Sequence, residues 1–422
     1  MTLKDRSQSI ADDLSKKLKF DVRFYGHSFS WLSVGHFSAI FRGLASTYLV
    51  ARWVSPEILG QFRYVLTLYG LAGIFAFTGY GSSIIKGLAR GETNAVRHAV
   101  KRVATYAPLG AVVLLLGALD RYLQGEQTVA YAIAIAALSF VPYTLCTFYT
   151  YIYTGYEQIK KLSYANIWSN IAYAVLFILT LLWSHNLIVI TIAYFLIDIL
   201  IRGWITWRAY RSIPRAATSP ETHEVLGRHF NGINIMQSIA GAIGLILLQR
   251  VWGYTALAAF SVAMILPEQI INLAKTMNGT LLQRFSRKEI DPKSLQNIQK
   301  QFRLVFFGSL IITASYAAIA PFIVPLFFPQ YPDAVLPSII YAIGILVIPS
   351  LIGVNYFQSQ ADYKRIWKFY ALSASLQILT SIVFIPWLGN WGAIWSRVIT
   401  RVGSLPAGYP LNSVKEKTTP KI

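Results

Sequence analysis

The stretch Trp31–Val54 reads WLSVGHFSAIFRGLASTYLVARWV. It is apolar for nearly its whole length, yet Arg42 stands close to its centre. An arginine at the middle of a membrane helix costs roughly 2.5–3.5 kcal/mol on insertion scales. The fold therefore turns on two questions: whether this segment crosses a bilayer, and what offsets the charge.

Composition answers the first. Of 422 residues, 55% are hydrophobic, 14% aromatic and only 13% charged, and the mean hydropathy is +0.48. Soluble domains carry about 25% charged residues, so a solvent-exposed surface for a chain of this length is missing. The apolar residues come in long runs. About 20 residues at 1.5 Å each match a hydrocarbon core of roughly 30 Å. These features predict an all-α integral membrane protein. The formal net charge of +20 is spread over alternate loops and does not gather on one domain, so nucleic acid is not expected as a partner. The single cysteine, Cys146, lies inside an apolar run and excludes a disulfide framework. The histidines lack metal-ligand spacing and no Walker-type loop is present, so neither a metal, a cofactor nor ATP hydrolysis is expected.

Twelve spans are predicted, over about 31–54, 58–83, 101–119, 129–151, 163–183, 187–207, 229–250, 255–277, 303–328, 336–358, 366–386 and 388–408. They divide the chain into a cytoplasmic arm (1–28), a six-helix lobe (29–207), a cytoplasmic linker (208–228), a second six-helix lobe (229–408) and a cytoplasmic tail (409–422). Lysine and arginine crowd the arm, the even-numbered connections and the tail, whereas the opposite loops offer only Arg52, Arg121 and Arg250, with Arg63 at the edge of the second span. The positive-inside rule then puts both termini in the cytoplasm. In the arm, Ile10, Leu14 and Leu18 recur at i, i+4 and fit a helix lying on the membrane; a disordered tail fits equally well. The tryptophans near span ends, including Trp183, Trp252, Trp387 and Trp391, read as interfacial belts.

Two internal echoes suggest a duplication. RWVSPEILGQF (Arg52–Phe62) aligns with RVWGYTALAAF (Arg250–Phe260) through Arg52/Arg250, Leu59/Leu257 and Phe62/Phe260. YEQIKKLSYA (Tyr156–Ala165) likewise echoes DYKRIWKFYA (Asp362–Ala371). Six spans per half and these echoes fit two lobes related by a pseudo-two-fold axis along the membrane normal, the plan of transporters that rock around a midplane site.

Arg42, Asp198, Glu268 and Arg397 fall near the midplane, with Arg401 one turn beyond Arg397. Ionisable groups at this depth are candidates for a substrate or ion pathway. Polar residues share their helical faces: Ser38 and Ser46 with Arg42; Ser261, Asn272 and Lys275 with Glu268; Thr191, Tyr194 and Arg202 with Asp198. Two readings stand side by side. The charges neutralise one another, Arg42 with Asp198 and Glu268 with Arg397; or the arginines face a cavity and take an anion. Arginine exceeds carboxylate, and surplus guanidinium suits a phosphate or diphosphate gripped by two parallel hydrogen bonds. Arg42, Arg397, Arg401, Arg63 and His36 are the candidate substrate-binding residues, and Glu268, Asp198 and Lys275 the candidates for ion coupling or structural pairing. Lys275 and Arg202, near the cytoplasmic edge, fit plain snorkelling.

Several stretches together resemble a known family: Ala51–Gly91, Tyr153–Ile167, Tyr316–Val335 and Trp387–Thr400. Pro56, Gly60 and Phe62 after the first span, and Gly389, Gly392, Ala393 and Arg397 opening the last, are the recognisable pieces. They are similar to the Wzx-type polysaccharide flippases of the multidrug/oligosaccharidyl-lipid/polysaccharide exporter superfamily. The resemblance implies a twelve-helix exporter, not an enzyme, in a bacterial or archaeal cytoplasmic membrane. Its substrate would be a polyprenyl-diphosphate-linked oligosaccharide repeat unit for O-antigen, capsule or exopolysaccharide biosynthesis. It also implies a cationic central cavity, and membrane lipids, glycosyltransferases and a polymerase of the same pathway as partners. Three rivals remain at this point, one of them a purely structural membrane partner of a glycan assembly complex, whose midplane charges would simply pair. A multidrug cation antiporter of the same superfamily would need an acidic, aromatic site. A membrane-embedded polysaccharide polymerase would need a sizeable outer loop bearing catalytic residues.

Overall fold

The chain is described here from a computed structural model, over residues 35, 38, 39, 41–43, 46, 48–76, 80–214, 224–286, 292–360 and 362–410. The expectations for the arm 1–28, for His36 and for the tail beyond 410 lie outside these residues.

Every regular element among the described residues is helical. Helix α1 is seen at the described residues between 35 and 53. It ends at Val54, and Ser55 caps the next helix, its hydroxyl accepting from Ile58 N at 3.3 Å while Pro56 occupies the first turn. The elements that follow are α2 (Pro56–Ala72), α3 (Tyr80–Ala89), α4 (Asn94–Leu123), α5 (Gln127–Leu145), α6 (Phe148–Gly155), α7 (Ile159–Trp183) and α8 (Leu187–Arg211). In the second half come α9 (Glu224–Ser286), α10 (Pro292–Phe327), α11 (Val335–Ala342), α12 (Ile348–Ser359), α13 (Tyr363–Leu388) and α14 (Asn390–Ser404). The connections are tight and capped. Asn186 accepts from Ile188 N at 2.8 Å to open α8, and Asp362 accepts from Arg365 N at 3.2 Å to open α13.

Nine helical stretches among the described residues are long and apolar enough to cross a membrane. One of them, Asn231–Lys275, has 45 residues, about twice what a hydrocarbon core needs. It is broken at Gly253, whose φ of 82° lies in the left-handed region that glycine enters freely. With α9 counted as two crossings, and α1 and α14 added, the architecture comes to about twelve helices. The exterior suits lipid: Leu138, Leu179, Leu200, Ile311, Phe322 and Leu379 are exposed. Such a continuous apolar surface would drive aggregation in water. This is a multi-pass integral membrane protein.

The span boundaries shift in places. The third helix starts at Asn94, well before 101, because nothing in NAVRHAV breaks a helix and its basic face continues the same helical turns. The second span is divided: α2 ends at Ala72, a 3-10 turn covers Gly73–Ala76, and α3 follows from Tyr80. The span expected over 336–358 is built from α11 and α12 joined by the 3-10 turn Ile343–Val347.

The two halves meet where the sequence echo lies. A Cβ on Gly60 would run into the carbonyl oxygen of Tyr254, so only glycine lets α2 lie this close to α9. The aligned positions Leu59 and Leu257, and Phe62 and Phe260, are all buried at or beside this seam.

Candidate functional site

Two charge clusters are built inside the helices, one in each half. In the first, Arg42 of α1 reaches Asp198 of α8, with Nη2 2.5 Å from Oδ2. Asp198 is 0% exposed. Its other oxygen lies 3.2 Å from Arg202 Nε, an ion pair one turn along α8. Tyr143 of α5 donates its hydroxyl to Oδ2 at 3.1 Å, and the Arg42 guanidinium lies 3.8 Å over the Tyr173 ring of α7. Arg202 also donates to Asn170 Oδ1 at 3.0 Å, and Asn170 donates to Ser38 Oγ at 2.9 Å. One carboxylate thus holds two arginines, and the polar face Ser38–Arg42 predicted on α1 turns onto α7 and α8. Arg202 is part of this cluster and does not snorkel: Asp198 one helical turn away holds its head group in place. Thr191 and Tyr194, from the same predicted stripe, are engaged within the half. Thr191 donates to Leu187 O at 2.8 Å, and Tyr194 stacks on Tyr143.

In the second half Glu268 of α9 accepts from Arg401 of α14 and from the Tyr341 hydroxyl of α11. The Arg401 guanidinium also lies 4.9 Å from the Tyr341 ring centre. The expected Glu268–Arg397 pair is therefore replaced by Glu268–Arg401. The physical reason is packing: the Arg401 side chain passes over Gly344, where a Cβ would stand 2.8 Å from its Cδ. Arg397 instead donates to the carbonyl of Gly241 at 3.1 Å, tying α14 to α9. Lys275, two turns beyond Glu268, is exposed. Glu268 and Arg401 side chains keep 16% and 15% exposure, whereas Asp198 has none. Arg63 is half-buried on α2, within electrostatic reach of Tyr194. His36 lies outside the described residues.

A third constellation escaped the sequence reading. Arg121, expected as an outer-loop charge, is 7% exposed at the end of α4. It donates to Tyr64 Oη at 2.8 Å and, across to the second half, to Gln249 Oε1 at 3.3 Å, and pairs with Glu126 at 3.4 Å. Glu126 accepts from Tyr254 of the second half. At the same end Gln330 donates to the carbonyl of Arg52 at 2.8 Å, and Tyr48 packs edge-on against Phe327 at 5.3 Å. These contacts bolt the two halves together at the end carrying residues 52–55, 121–127 and 250–254. A single arginine in a short loop carries no sequence signal for such a role; its partners come from α2, from α9 and from the turn before α5.

Residues 26–226 match the family described as "Polysaccharide biosynthesis protein". Among curated proteins none matches the sequence. Solved structures match over nearly the whole chain. A multidrug resistance MATE family transporter of the MOP superfamily, in an inward-facing conformation, aligns at TM-score 0.67 and 13% identity, covering 90% of this chain and 97% of that one. The lipid II flippase MurJ, in an inward closed conformation, aligns at TM-score 0.65 and 13% identity, covering 89% and 86%. A MOP superfamily transporter from Pyrococcus furiosus, described as having a binding pocket of reversed polarity, aligns at TM-score 0.63 and 13% identity, covering 90% and 93%. Residues 26–226 thus resemble the polysaccharide biosynthesis protein family, and the chain shares the fold of these membrane transporters.

Proposed function

We propose that the chain is a flippase. It moves a polyprenyl-diphosphate-linked oligosaccharide repeat unit from the inner to the outer leaflet of the cytoplasmic membrane by alternating access, for surface polysaccharide synthesis. Both termini face the cytoplasm, and the two six-helix lobes are related by a pseudo-two-fold axis along the membrane normal. In that orientation the seam at residues 52–55, 121–127 and 250–254 is the outer mouth, closed in this conformation.

One observation carries this reading: in each half the midplane holds two arginines for one carboxylate. Arg42 and Arg202 surround Asp198; Arg401 pairs with Glu268, and Arg397, one turn before it on the same face of α14, donates to the Gly241 carbonyl. Each half therefore holds a surplus positive charge, which suits an anion and disfavours a lipophilic cation. The sugar head group and the diphosphate cannot cross an apolar core unaided, because each polar group left unpaired there is heavily penalised. In the proposed cycle the lipid tail stays in the bilayer while the diphosphate binds Arg401 and Arg397, with Arg63, Arg42 and His36 adding positive potential from the first half.

Coupling follows from the shared arginine. A diphosphate that takes Arg401 leaves Glu268 with Tyr341 and Lys275 as neighbours. An uncompensated carboxylate then draws a proton or Na⁺, and losing that cation on the other side returns Arg401 to Glu268 and expels the anion. Asp198, enclosed by two arginines, fills the structural role in the first half.

The test is the leaflet location of lipid-linked repeat units in a strain lacking the protein, read with a membrane-impermeant probe. Units accumulating shielded on the cytoplasmic leaflet are expected. Units accumulating accessibly on the outer leaflet would instead assign a polymerase or ligase role. No accumulation would return the cation antiporter.

A further inference from the structure

A second concavity lies away from both charge clusters. It encloses about 640 Å³, within the roughly 300–1,000 Å³ typical of small-molecule sites. Its walls come from α9, from the segment 330–337 and from the first turn of α14, and include Phe260, Gln330, Tyr331, Asp333, Asn390 and Trp391. All belong to the second half, so the cavity travels with that half as one body.

Its chemistry differs from that of the midplane. Three aromatic rings share the wall with one carboxylate and two carboxamides, and among the described residues the lining contains no lysine or arginine. An anion would meet Asp333 with nothing to neutralise it, so a diphosphate does not belong here. The polar groups are also unspent. Tyr331 is only 7% exposed, yet its hydroxyl has no hydrogen-bond partner, and Asn390 Oδ1 is likewise buried and unpartnered. A buried hydroxyl without a partner is disfavoured unless a ligand completes it. Flat aromatic faces beside carboxylate and carboxamide oxygens match a pyranose, which offers apolar C–H faces and a rim of hydroxyls that both donate and accept. Trp391, expected in an interfacial belt, is exposed and also lines this cavity.

Resting on the flippase reading, we propose that this cavity is a neutral saccharide subsite at the outer mouth, which receives a sugar of the repeat unit as the midplane arginines release the diphosphate. Trp391 stacks on the ring, and Tyr331, Asp333 and Asn390 bind its hydroxyls. Gln330 links the subsite to the gate. Its amide is committed to the Arg52 carbonyl across the seam while the mouth is closed. When the halves part, that amide is released into the cavity, so sugar binding favours the outward-open state.

The test uses the full chain in lipid nanodiscs and saturation-transfer NMR with glucose, galactose, N-acetylglucosamine and their disaccharides. Binding of short-chain prenyl diphosphate is measured in parallel on the same samples. At least one sugar is expected to bind. Tyr331→Phe, which keeps the ring and removes only the unpartnered hydroxyl, and Trp391→Ala should each weaken it about tenfold, the size of one lost hydrogen bond or stacking partner. Prenyl diphosphate binding should be unchanged in both. Sugar binding that survives both substitutions, or no binding of any sugar, overturns the subsite. Loss of prenyl diphosphate binding in the wild type, with sugar binding retained, would count against the flippase reading and leave the subsite standing.

Discussion

The two midplane clusters share a recipe and differ in burial. Around Asp198 the arginines come from α1 and α8, tyrosine and asparagine close the remaining sides, and the carboxylate sees no solvent. Around Glu268 the carboxylate and its arginine keep 16% and 15% exposure, and the second arginine, Arg397, donates to a backbone carbonyl. The same charges therefore do different work. A carboxylate sealed from solvent ties helices together, since removing it strands the arginines it holds, Arg42 and Arg202, whose side chains keep 13% and 18% exposure. A carboxylate that keeps some exposure can trade its partner for a ligand.

That contrast is broken most sharply by neutralising the two carboxylates. Asp198→Asn leaves Arg42 and Arg202 facing each other around a carboxamide that cannot neutralise them, and should destabilise the protein by about 3–5 kcal/mol. Glu268→Gln should cost less, about 1–2 kcal/mol, because the site is partly wet and the Tyr341 hydroxyl keeps a partner. Thermal unfolding in nanodiscs compares them directly, and equal losses would erase the distinction. Glu268→Gln has a second readout: transport driven by an imposed proton or Na⁺ gradient should be lost while binding of prenyl diphosphate persists. Transport at the wild-type rate would remove Glu268 from coupling.

The next effect in size concerns the gate. Arg121→Met takes away charge-assisted bonds to Tyr64, Gln249 and Glu126 that tie the two halves together at this end. At about 1.5–3 kcal/mol for hydrogen bonds of this kind, the outward-open population should rise roughly 10- to 100-fold. Spin labels on Leu123→Cys and Leu326→Cys, both exposed at this end, would report the change after Cys146→Ser removes the native thiol. An unchanged distance distribution would mean that the α2–α9 packing at Gly60 alone closes the mouth.

The smallest stability effect is expected for Arg397→Met. It loses one bond to the Gly241 carbonyl and should shift stability by about 0.5–1.5 kcal/mol. Its affinity for prenyl diphosphate should nonetheless fall several-fold. The reverse pattern, a large loss of stability with affinity intact, would make Arg397 a helix tie like Arg42.

Much of this was legible in the chain. Spans follow from runs of apolar residues because the bilayer imposes a length and forbids unpaired backbone groups. The echo Arg52–Phe62 with Arg250–Phe260 marked the two segments that meet at the seam, since close packing there selects residue size at fixed spacing. The charges at the midplane stood out because lipid makes each one costly. The Arg42–Asp198 pair was one of the two arrangements that cost allowed.

Other features had no local signal. Glu268 meets Arg401 and not Arg397 because both arginines share one face of α14, a turn apart, and the space above Gly344 decides which one descends to the carboxylate. Arg202 looked like a snorkelling residue until Asp198, four residues earlier on the same helix, engaged it. Arg121 read as an ordinary loop cation until Tyr64, Gln249 and Glu126 surrounded it. The sequence by itself determined that this is a helical membrane protein that keeps charges in its interior, because the cost of a charge in lipid depends on depth, and depth is written along the chain. Which charge answers which, which pair is sealed and which stays open to a ligand, depends on distances of a few ångströms between helices far apart in sequence. Only the packing of those helices decided that.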